Sequence, residues 1–162
     1  MKVIFLDIDG VMNFSREDYA TGEWIIEWDK WYILKDIVEE TGAKIVLSSD
    51  WRKEPYLYSM VLQMLSGADI KELYDVTPNL SGDEAEWEQI ESFRAVEILD
   101  WLEEHPEVDR YAAIDDIYLP ELENNAFLTV ADFGLSPDAN VSWLGLTPNL
   151  AQKIILHLNT EL

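Results

Sequence analysis

Lys2-Val3-Ile4-Phe5-Leu6-Asp7-Ile8-Asp9-Gly10-Val11-Met12-Asn13 is the stretch from which the fold is read. Its apolar run, with β-branched and aromatic residues among it, reads as a short buried strand that stops at two aspartates one residue apart. Strand alternation aims Asp7 and Asp9 to the same side at the carboxyl end, where open α/β sheets collect their ligands. Like charges so close repel each other unless a cation or a shared proton intervenes. Taken alone, the stretch also fits a strand end followed by a turn with solvated acids.

The next elements decide between these readings. Asp29 is a candidate cap for a helix to about Thr41, with Leu34, Ile37 and Val38 on one face and Gly42 as its stop. Lys44-Ile45-Val46-Leu47 then reads as a second buried strand running into Ser48-Ser49-Asp50-Trp51-Arg52. Strand, helix, strand of this length is a βαβ unit, so the two strands are expected as parallel neighbours with their carboxyl ends side by side. Ser48 is thereby brought near Asp7 by topology. A hydroxyl and free backbone N–H groups at a strand-to-loop turn suit a phosphate oxygen, although Ser-Ser after a strand is also ordinary turn chemistry. Arg52 fits either a bidentate phosphate contact or an exposed ion pair.

Pro55 suits the first turn of a helix to about Leu65, and a weak third strand is expected around Leu73–Val76. After an acidic connection from Pro78 to Glu91, Ala95, Ile98, Leu99 and Leu102 mark an amphipathic helix, with Ser92 as candidate cap. Arg94 in its first turn would oppose the helix dipole and so point to an anion partner. If the helix begins earlier, near Glu86, Arg94 is instead an i, i+4 pairing residue. Tyr111-Ala112-Ala113-Ile114 is the fourth strand and ends at Asp115-Asp116, a second acidic pair in need of a cation or hydrogen bonds. Phe127 to Ala131 reads as a fifth strand ending at Asp132, to which no chemistry is assigned. Thr147-Pro148 opens a last helix with Leu150, Ile154, Ile155 and Leu158 inward. His105 and His157 lack partner spacing and are read as structural.

Composition narrows the function. The chain has 162 residues with 48% hydrophobic content and seven Trp, which suits one domain spanning 1–162. Trp24, Trp28 and Trp31 are read as core packing before substrate stacking. Eleven basic against thirty-three acidic residues give a net charge of −22, which favours solubility and opposes passive attraction to nucleic acid or anionic membrane. An anionic substrate would approach uphill, so a divalent metal is expected to help it. With no cysteine there is no disulfide, thiolate nucleophile or Cys-based zinc site. The apolar run at the amino terminus stops at Asp7, unlike a signal peptide, and no segment reads as a membrane span. A soluble, cytoplasmic protein is the expectation; oligomeric state is not legible.

The strand ending in Asp7-Ile8-Asp9-Gly10-Val11, the strand ending in Ser48, Arg94 near a helix start and the strand ending in Asp115-Asp116 resemble, in order, the four motifs of the haloacid dehalogenase-like (HAD) phosphohydrolases. The resemblance implies an α/β fold: a three-layer α/β/α sandwich, Rossmann-like, with a mainly parallel five-stranded sheet of order 5-4-1-2-3. It implies Asp7 as nucleophile and Asp9 as acid/base, with Ser48, Ser49, Arg52 and Arg94 toward the phosphate. Mg²⁺ would be held by Asp7, Asp9 (through its carbonyl), Asp115 and Asp116. The family more often has Lys where Arg94 stands. A hairpin flap is expected between Asn13 and Trp28, and the short gaps leave no room for a cap domain. The Leu47–Arg52 segment, Arg94 ahead of Glu97–Leu102, and Ile114–Asp116 resemble the small HAD domains of RNA-repair proteins. The substrate classes implied are a terminal phosphate of a nucleic acid, a nucleotide or a phosphoprotein. The basic stripes that polyanion binding wants are missing. The alternative is a non-catalytic acidic module of the same fold that binds a basic protein.

Overall fold

The computed structural model describes residues 1–13, 26–82, 87–129 and 145–160, with only the backbone of 87–92. Five parallel strands form one sheet: β1 (Lys2–Leu6), β2 (Lys44–Leu47), β3 (Asp75–Val76), β4 (Arg110–Asp115) and β5 (Ala126–Leu128), in the order β3-β2-β1-β4-β5. The helices are α1 (Trp28–Thr41), α2 (Pro55–Gly67), α3 (Trp87–Glu104) and α4 (Pro148–Asn159). This is the expected α/β sandwich with the expected strand order.

Alternation along the strands divides the core in two. Ile4 and Leu6, Ile45 and Leu47, and Ala112 and Ile114 face a cluster built with Trp31, Leu34 and Ile37 of α1, Val61 and Leu65 of α2, and Ile154 and Leu158 of α4. Val3 and Phe5, Val46 and Ala113 face the opposite cluster, built with Ala95, Ile98 and Trp101 of α3. Near-continuous apolar strands are what a parallel sheet covered on both faces requires. Trp101 stands edge-on to Phe5, with ring centroids 5.4 Å apart.

Element boundaries depart from the sequence reading in ways that have physical causes. Glu27, not Asp29, precedes α1; Asp29 sits in its first turn, where its charge suits the dipole. Gly42 closes the helix at φ 68°, a left-handed conformation that glycine adopts without strain. Of the tryptophans read as core, Trp31 is buried but Trp28 is 39% exposed and lies beside Tyr32. Trp24, the flap, Val130–Asp132 and most of the irregular loop before Gly145 lie outside the described residues.

The largest correction concerns α3. It begins by Trp87, so Ser92 is an interior residue and Arg94 is one turn and more past the start, where the dipole argument no longer applies. Its inward stripe is Arg94, Ala95, Glu97, Ile98 and Trp101, while Leu99 is 41% exposed. The helix has rotated to turn two charged side chains inward because both find opposite charges there. Residues 105–109 alone join α3 to β4, as a fold without an inserted cap would have. Among the described residues no helix is long and apolar enough to cross a membrane.

Candidate active site

The site follows from strand register. Leu6 is paired with Leu47 on one side and with Ile114 on the other, and Leu47 with Val76. The next residues, Asp7, Ser48, Asp115 and Thr77, therefore form a row across the carboxyl edge. The backbone confirms it: Asp7 N–H donates to Ile114 O, Ser48 N–H to Leu6 O and Thr77 N–H to Leu47 O, each at 3.0 Å. Continuing the alternation, this row faces the same side as Phe5, Val46 and Ala113, the side covered by α3.

Arg94 rises from α3 beneath that row. One guanidinium nitrogen, Nη1, stands 3.0 Å from Asp7 Oδ1 and 2.7 Å from Asp115 Oδ2, with all three residues buried. It is thus not an i, i+4 surface partner but the charge that makes two buried carboxylates tolerable. Burial alone would lower the Arg94 pKa, but Asp115 and Asp7 outweigh it and raise it above its ordinary value. The two acids at the end of β4 remain under strain of charge. Burial first, then the charge of Asp7, pushes the Asp115 carboxyl up to about 7 even though Arg94 pulls the other way. Burial and Asp7 likewise push Asp116 up to about 6.

Asp7, Asp115 and Asp116 each offer an oxygen, and these lie within 4.8 Å of one another. Three hard anionic oxygens in so small a space, supplied with one guanidinium, suit a divalent cation that prefers oxygen ligands. Gly10, at φ +77°, lets Asp116 approach: a Cβ there would fall on the Asp116 carboxylate. Thr129 Oγ1 donates to Gly10 O at 2.9 Å and holds this turn against the end of β5.

Asp9 lies just past the strand, on the turn where Val11 and Met12 N–H donate to Ile8 O. Its carboxylate is outside the three-acid cluster, and Trp51 Nε1–H donates to Asp9 Oδ2 at 2.9 Å. Ser48 Oγ is buried and has no hydrogen-bond partner among the described residues, nor has Arg94 Nε. Ser49 Oγ is occupied, accepting from Trp51 N–H at 3.3 Å as cap of the short 3-10 helix Asp50–Lys53.

Arg52 departs from its expected place among the phosphate ligands. Its side chain is 3% exposed. Nε donates to Thr77 O, Nη1 to Ser48 O and Ser49 O, and Nη2 to Pro78 O and to Glu97 Oε2, all between 2.6 and 3.0 Å. A guanidinium has five N–H groups, and each is directed to one of these acceptors. None is left for a phosphate.

Glu97, Trp51 and Thr77 were not singled out from sequence. Glu97 was legible in principle, since it shares a helix face with Arg94 and Ile98. Thr77 ends β3 as Ser48 ends β2. No pattern announces the Trp51 contact, which depends on the 3-10 turn.

Comparison with curated proteins gives no match, and neither does comparison with solved structures. The family model described as the HAD domain in Swiss Army Knife RNA repair proteins matches residues 3–139, from the start of β1 to beyond β5. That span holds the whole row of Asp7, Ser48, Thr77 and Asp115 together with Arg94, and the chain belongs to this family of HAD domains.

Proposed function

We propose that the chain is a Mg²⁺-dependent phosphomonoester hydrolase that works through an aspartyl-phosphate on Asp7. The observation that carries this reading is the buried Asp7 side chain, 7% exposed at the end of the central strand, with Arg94, Asp115 and Asp116 around it. An acid confined there solely for stability would be a poor bargain, because an apolar residue would serve better.

Asp7, Asp115 and Asp116 would hold the metal, with the Asp9 carbonyl as a further oxygen. When bound, the dication neutralises charge developing on the phosphoryl oxygens. An Asp7 oxygen attacks phosphorus in line, and the bond from phosphorus to the leaving oxygen breaks. Arg94 fixes the attacking carboxylate and its charge favours the extra negative charge of the transition state. Asp9 gives its proton to the leaving oxygen, then takes one from the water that attacks the phosphoenzyme. That second attack releases inorganic phosphate and restores Asp7. Trp51 holds one Asp9 oxygen and so fixes the carboxyl for this exchange. The unpartnered Ser48 hydroxyl donates to a phosphoryl oxygen.

Among substrates, the RNA-repair context in the family's description favours a terminal phosphate on a nucleic acid. The net charge of −22 favours a nucleotide or phosphoprotein over a long polyanion. Turnover of p-nitrophenyl phosphate with and without Mg²⁺, beside D7N, tests the reading. Metal-dependent release that disappears in D7N is expected. Silence of the parent protein, with no Mg²⁺ binding by calorimetry, would instead favour the acidic binding module.

A further inference from the structure

Arg52 and Glu97 form a buried pair at the carboxyl edge of β2 and β3, and nothing in the chemistry above uses them. Arg52 closes the ends of both strands by donating to four carbonyls: Ser48 and Ser49 after β2, Thr77 and Pro78 after β3. Glu97 takes the fifth N–H with Oε2 at 2.6 Å and with Oε1 accepts Leu80 N–H at 2.9 Å. Glu97 is one helical turn from Arg94. Loop 48–53, loop 77–81 and the helix carrying the site's cation are therefore tied at a single ion pair.

The consequence falls on Ser48. Its carbonyl is drawn to Arg52 and its N–H to Leu6 O, so both backbone groups are fixed while Oγ stays buried and, among the described residues, unpartnered. A buried hydroxyl with no partner is costly, and a backbone held on both sides sets where its Cβ stands on the edge of the sheet. We infer that the Arg52–Glu97 pair is a positioning device that holds the Ser48 hydroxyl in place to receive a phosphoryl oxygen. Arg52 thus acts on the anion without touching it. This inference rests on the phosphohydrolase reading of the site.

Calorimetric binding of tungstate, a phosphate-like oxyanion, to the Mg²⁺-loaded protein tests it, with turnover measured in parallel. R52K keeps the charge but has three donors where five are used. It is expected to weaken tungstate binding about tenfold, with Mg²⁺ affinity unchanged, and to have no further effect once S48A is present. L158A, which destabilises the chain from α4, is expected to lower the melting temperature and leave tungstate binding alone. Should R52K be poorly folded, E97Q provides the same test, since its amide cannot accept from both Arg52 and Leu80. Tungstate binding equal to the parent's in a folded R52K or E97Q, or losses from R52K and S48A that add, would overturn the positioning role while the phosphatase reading stands. A parent protein that neither binds tungstate nor turns over phosphoesters would overturn both.

Discussion

Two arginines lie buried along the carboxyl edge of the same sheet, and their surroundings differ in kind. Arg52, under β2 and β3, has each N–H matched to an acceptor, with the Glu97 carboxylate at 2.6 Å on Nη2 and the half-exposed Asp50 farther off, at 3.3 Å from Nη1. Arg94, under β1 and β4, faces two carboxylates with one nitrogen, while its Nε has no partner among the described residues. Burial lowers the Arg52 pKa, whereas the excess of acid around Arg94 raises its own. A saturated guanidinium is a structural joint. An over-subscribed one marks a place where the fold has gathered more negative charge than it neutralises, and where an added cation would be bound rather than merely tolerated.

The strongest test of the contrast lies in turnover. D7N keeps the volume of the side chain and removes the nucleophile, so phosphoester hydrolysis is expected to fall by at least about a thousandfold. D7N should keep a folded sheet, checked by circular dichroism.

Removing either guanidinium should then separate the two regions. R52Q and R94Q each strand buried carboxylate or carbonyl groups and are expected to cost about 3–5 kcal/mol in urea unfolding. Mg²⁺ should recover part of the loss in R94Q, because a bound cation replaces the missing charge, and none of it in R52Q. Equal recovery in both would break the comparison.

pH sharpens the same contrast with a smaller effect. Asp115 and Asp116, raised to about 7 and about 6 from an ordinary 3.8, keep protons in the folded chain at pH values where the unfolded chain has lost them. The folded state binds more protons, so metal-free stability is greatest in acid and falls as pH rises from about 4 to about 7. Urea midpoints across that range should show the decline, with a shallower slope in D115N. Mg²⁺ should stabilise more above pH 7 than near pH 5, because the acids must ionise to bind it.

The smallest expected change is G10A. The positive φ and the proximity of Asp116 together should cost about 1–3 kcal/mol and weaken Mg²⁺ binding. Wild-type affinity in G10A would mean that Asp116 is not drawn in close.

Much of the acidic region was legible because it depends on short-range rules. A βαβ unit brings Asp7 and Ser48 together whatever the details of packing, and the Asp115-Asp116 pair ends a strand that reads clearly as buried. Arg94 was reached by residue type and position, but the reason differed: α3 starts earlier, and the arginine is held by carboxylates instead of opposing a dipole. The Arg52 region was not legible. Its role depends on the rotation of α3, which turns Glu97 inward and Leu99 outward, and on a 3-10 turn of four residues that aims Trp51 at Asp9. The apolar spacing of α3 points Leu99 inward instead of Glu97, and the 3-10 turn leaves no periodic signal at all. A buried arginine and an exposed one have the same letter, and only the five acceptors around Arg52 tell them apart.

Whether Asp7 becomes phosphorylated is measured by acid-quenched peptide mapping. After brief incubation with p-nitrophenyl phosphate and Mg²⁺, one phosphoryl group is expected on the peptide carrying Asp7, absent without metal and released by hydroxylamine. Metal-dependent turnover with the label on another residue, or with direct transfer to water and no phosphoenzyme under any quench, would contradict it.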